Sequence, residues 1–109
     1  MSTTGPRVIV VGRLPEKMGV AIEVIEAHGF AATGVYSEQE AQDAITEPEE
    51  LFAVVTGGAV DAPARARLQA RAAAKDAVLV TASIGHEDPK THFTEHVIPK
   101  LIAARRKVD

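Results

Sequence analysis

The apolar residues of this chain fall into short runs that alternate between two periods. Val8-Ile9-Val10-Val11 is continuous and β-branched, and Gly12 closes it. A run without polar alternation suits a strand covered on both faces, as in a parallel sheet. Met18, Ala21, Ile22 and Ile25 then recur at helical spacing. Pro15 opens that helix at its first turn, and Gly29 ends it.

The segment "FAATGVYS" predicts a second strand, and Ser37 with Glu40 forms a capping box that starts a short helix through about Ile45. "LFAVVTGG" predicts the third strand, ending in two glycines. Asp61 can N-cap a long Ala-rich helix to about Lys75, with Pro63 tolerated in its first turn. "AVLVTAS" is the fourth strand, closed by Ile84-Gly85-His86. Asp88-Pro89 starts the last helical segment, which ends in Ala103-Ala104-Arg105-Arg106-Lys107.

Strands and helices thus alternate strictly, which implies a parallel sheet with helices on both faces. The expected fold is α/β: a single doubly wound layer with a four-stranded sheet in the order 2-1-3-4. A single domain over residues 1–109 is expected, with residues 1–6 read as a short flexible lead. Pro99 disturbs the last helix, because it cannot donate to residue 95 and disfavours helical geometry at Ile98. Phe93, Val97 and Leu101 keep one spacing across it, so a kinked helix is expected rather than a turn followed by a helix.

Composition narrows the function classes. With 109 residues there is room for one core, and only 4 % of them are aromatic, so Val, Ile, Leu and Ala must build it. The net charge of −3 provides no whole-molecule attraction to nucleic acid or to an anionic membrane. The absence of cysteine excludes disulfides, thiol catalysis and Cys-ligated metal. MSTTGPR lacks a signal-peptide core, and a soluble cytoplasmic protein is the expectation.

On these elements the chain resembles a receiver domain of the response-regulator type, which has a flavodoxin-like fold. The resemblance covers most of residues 7–88. Val80-Thr81-Ala82 is similar to the family's Thr-Ala ending of the fourth strand, and "LFAVVTGG" to the third strand that carries its phospho-accepting aspartate. The departures are chemical. Gly12-Arg13 stands where the family has an acidic pair, and Thr56, Gly57 and Gly58 stand around the phospho-acceptor position. Pro99-Lys100 is a reversed echo of the family's Lys-Pro, and a fifth strand is not evident. Without clustered carboxylates there is no hard-oxygen site for Mg²⁺. The resemblance therefore implies a degenerate receiver unable to run aspartyl phosphorylation, with no cofactor.

Open parallel sheets bind ligands beyond the carboxyl ends of their strands, where the strand order reverses. The loops expected there carry Gly12, Arg13, Thr56, Gly57 and Gly58, with Thr81, Ser83 and His86 alongside. Arg13 could grip phosphate or carboxylate, the glycines could expose backbone N–H groups, and Thr56, Thr81 and Ser83 could donate hydroxyls. Arg13, Gly57, Gly58, Thr81, Ser83 and His86 form the ligand candidate, but neither G-x-G-x-x-G nor G-x-x-x-x-G-K-[ST] is present. No catalytic set stands out.

His92-x-x-Glu95-His96 has the H-x-x-E-H spelling of a zinc peptidase helix. On a wheel of about 100° per residue, Phe93, Val97, Ile98, Leu101 and Ile102 centre half a turn from His92. Both histidines are then expected on the solvent face, and a metal held by His86, His92 and His96 is the weaker alternative to no metal at all. Arg65, Arg67, Arg71 and Lys75 are expected to spread around their helix.

Two functions follow. The first is a non-catalytic interaction or regulatory module, pairing with itself as a homodimer or with another protein through helix faces or the exposed edge of strand four. The second is a small anionic-ligand or nucleotide binder, or a minor enzyme, at the carboxyl edge of the sheet.

Overall fold

The computed structural model describes residues 7–12, 15–47, 51–57, 61–82 and 89–108. Four five-residue segments pair as parallel strands: Arg7–Val11 (β1), Ala31–Val35 (β2), Ala53–Gly57 (β3) and Val78–Ala82 (β4). Their order is β2-β1-β3-β4, as the alternation of elements predicts. Helices Pro15–Ala27 (α1), Glu38–Thr46 (α2) and Ala62–Ala74 (α3) connect them.

The alternating side chains of the sheet divide the core in two. Val8, Val10, Ala53, Val55 and Val80 pack against α1 and the C-terminal helical segment. Ile9, Val11 and Val54 pack against α2 and α3 through Ala41, Ile45, Leu68 and Ala72. Because β1 and β3 are covered on both faces, they read as unbroken apolar runs.

The expected caps are in place. Ser37 Oγ accepts from the Glu40 N–H at 3.1 Å, and Asp61 Oδ1 accepts from the Ala64 N–H at 2.9 Å. Gly29 ends α1 in the left-handed region at φ 90°, while the Nδ1 of His28 meets the Val24 carbonyl at 2.8 Å. Gly34 is required for contact rather than for backbone freedom. A Cβ there would lie 2.7 Å from Met18 Sδ and 2.9 Å from Ile22 Cδ1, so its absence lets β2 press against α1.

The last segment is helical throughout 89–108 but not uniformly α. Helix Pro89–His92 (α4) passes into a π-helical turn, Phe93–Val97, and then into Ile98–Val108 (α5). In an α register the Pro99 ring would collide with the Glu95 carbonyl and offer it no N–H. The preceding turn widens instead, and the Ile98 N–H donates to the Phe93 carbonyl.

This widening corrects the expectation of two solvent-facing histidines. A π turn advances about 80° per residue rather than about 100°, so the buried stripe of Phe93, Val97, Ile98 and Leu101 recentres about 100° from His92. His92 is accordingly buried, with 6 % of its surface exposed, while His96 remains exposed.

A second correction concerns α3. Arg67, Arg71 and Lys75 recur every four residues and all reach toward α2. Arg67 holds Glu38, Arg71 Nη1 donates to Thr46 Oγ1 at 3.3 Å, and Lys75 Nζ donates to the Thr46 carbonyl at 3.2 Å. Their four-residue spacing already puts them on one stripe of the helix, with Arg65 well away from it, and the packing shows that this stripe faces α2.

Candidate functional site

At the carboxyl end of the sheet the strands bring Val11, Thr56 and Thr81 into one row. Strand alternation puts this row on the face covered by α2 and α3. Beside it a cleft of about 270 Å³ opens between the first turns of those helices. Val11, Gly12 and Leu68 line its base; Tyr36, Ser37 and Glu38 come from the α2 side, and Asp61 and Ala64 from the α3 side. It lies where the strand order reverses, the usual position for a crevice in an open α/β sheet.

Ser37 and Asp61 are part of this cleft because a doubly wound fold opens its helix N-termini at the same sheet edge. The capping signals in the sequence mark both residues, but their meeting across the cleft is a consequence of tertiary structure. Their role also limits what the cleft binds. The caps occupy the backbone donors of Glu40 and Ala64 that would otherwise face a ligand. Two carboxylates, Glu38 and Asp61, line the opening, which opposes an anion.

Of the sequence-predicted ligand residues, the structure places two. Gly57 ends β3 in register with Ala82, and Thr81 stands beside Thr56. A Cβ at Gly57 would meet the Val11 carbonyl at 3.5 Å, an ordinary contact, so packing does not demand glycine there. Arg13, Gly58, Ser83 and His86 lie outside the described residues. Thr56, expected to offer its hydroxyl at the edge, is fully buried, and its Oγ1 has no hydrogen-bond partner among the described residues.

Glu38 is the best-determined charged group at the cleft. The Nε and Nη2 of Arg67 donate to its two oxygens in a fork, and the Nε2 of Gln42 adds a bond of 2.7 Å. The Arg67 hydrogen bond, ahead of its charge and the Gln42 contact, holds the Glu38 carboxyl below the usual range. The same bond raises Arg67. Since the folded-state pKa is depressed, the pair's contribution is present above the unfolded pKa and fades as pH falls through the folded one. In an NMR pH titration Glu38 should therefore ionise below the usual carboxylate range, and Arg67→Gln should move its midpoint up toward that range. An unchanged midpoint in that variant would show that the fork does not persist in solution.

Among the described residues no group of three or more His, Cys, Asp or Glu is placed to hold a metal, and no helix is long and apolar enough to cross a membrane. No protein-family model matches the chain, and no curated protein or solved structure matches it.

Proposed function

We propose that the chain is a non-catalytic, receiver-like interaction or regulatory module that pairs with a second copy of itself along β4. The observation that carries this reading is the border of the sheet. β4 is its outermost strand, and the following described segment, 89–108, is helical. The receiver resemblance calls for a fifth strand at this place. The strand Val78-Leu79-Val80-Thr81-Ala82 carries no Lys, Pro or other charge of the kind that blunts an edge.

Apolar surface accompanies the open edge. Val78 shares the α1 and α5 face with Val80, and α5 packs beside β4. Val78 and Ile102 are each 38 % exposed. The opposite edge, β2, shows Thr33 rather than a large apolar residue. Antiparallel pairing of two β4 strands across a twofold axis would satisfy their outer backbone groups and join two sheets into one.

Among the described strand ends, Gly12, Thr56 and Gly57 provide no carboxylate for aspartyl phosphorylation, in keeping with a degenerate receiver. The second reading, an anionic-ligand site, rests on Arg13, Gly58, Ser83 and His86 with Gly57 and Thr81, and the acidic cleft does not favour it.

Sedimentation equilibrium tests the pairing. The wild-type chain should sediment as a dimer at tens of micromolar, and Val78→Lys should weaken the dimer at least tenfold with an unchanged far-UV spectrum. A monomer at every concentration, or a dimer indifferent to Val78→Lys, would contradict it.

A further inference from the structure

We propose that His92 and His96 form a two-imidazole site for a divalent transition-metal ion of the zinc or copper class. The inference rests on the spacing of the two rings and is independent of pairing along β4. In a regular α-helix residues four apart are offset by about 40° around the axis. The π-helical turn keeps this pair on one side of the helix, so the two imidazoles are neighbours. Their ring centroids are 4.8 Å apart, with planes inclined by 37°.

That spacing fits a shared metal. With a metal–nitrogen bond of 2.0–2.1 Å, each ring centroid lies about 3.2 Å from the ion. A separation of 4.8 Å then corresponds to an angle of about 97° at the metal. This falls between the right angle of square-planar or octahedral sites and the wider tetrahedral angle. Imidazole nitrogen is a preferred donor for Zn²⁺, Ni²⁺ and Cu²⁺, whereas Mg²⁺ and Ca²⁺ prefer oxygen.

The two ligands differ in setting. His92 is buried against the edge of Phe93, with ring centroids 6.2 Å apart, which restricts its rotation. His96 is exposed and leaves the remaining coordination positions to water. The site differs from a zinc peptidase centre, which needs a third protein ligand in a shielded cleft.

The test uses the full chain without an affinity tag. Zn²⁺ followed by calorimetry should saturate at one ion per chain, and substoichiometric Cu²⁺ should broaden the NMR signals of residues 91–97 first. His96→Gln alters an exposed side chain and should lower Zn²⁺ affinity at least tenfold with the remaining spectrum unchanged. His28→Gln, on a different helix, should leave the affinity intact. Absence of binding heat, equal affinity in the His96→Gln variant, or broadening spread evenly over all histidines would overturn the proposal.

Discussion

Leu68→Ala is expected to destabilise the chain by about 3–4 kcal/mol, a large share of the roughly 5–15 kcal/mol typical of such a domain. Leu68 is fully buried between α3 and the sheet, in the cluster of Ile9, Val11, Ile45 and Val54. The other buried residues of α3 are Ala64 and Ala72, so Leu68 is the helix's large anchor in the core. Truncation removes its transfer free energy and leaves a cavity that rigid strands on one side cannot close. Urea unfolding should show a lower midpoint with an unchanged slope. A loss under about 1 kcal/mol would mean that α3 is held mainly by its polar contacts with α2.

Thr56→Val should act in the opposite direction, stabilising the fold by about 1–2 kcal/mol. Thr56 lies inside β3, with no exposed surface and, among the described residues, no partner for its Oγ1. A buried hydroxyl without a partner carries its full desolvation cost, and valine keeps the branched shape while removing it. Val11 beside it on β1 shows that the row accepts valine at this depth. Thr56→Ser should destabilise, since it retains the hydroxyl and deletes a packed methyl group. Thermal unfolding of both variants separates these terms; a destabilising valine would reveal a hydrogen bond made by Thr56 in solution.

The sheet order was legible in the sequence because its signals are local. The β-branched run at 8–11, the caps Ser37 and Asp61 and the stop at Gly29 each determine a boundary without help from the rest of the chain. The last segment was legible only in part. Pro99 announces a fault in the α register, but whether the helix bends, breaks or widens depends on which residues must remain buried. Here the turn widens while Phe93, Val97, Ile98 and Leu101 all stay in the core, and His92 is buried beside them.

The candidate site shows the same division. Gly57 and Thr81 stand at strand ends where the order of elements puts them. Glu38 and Asp61, which set the charge of the cleft, were visible in the sequence only as features of two separate helix starts. Their shared location, like the approach of Arg67, Arg71 and Lys75 to α2, arises from packing between elements distant in sequence.

Amide hydrogen exchange across a concentration series tests pairing along β4 most directly, because it reads the two open edges of one sheet side by side. The account predicts that outward-facing amides of residues 78–82 exchange progressively more slowly as concentration rises, while those of 31–35 do not change. Concentration-independent exchange at both edges would contradict self-pairing along β4.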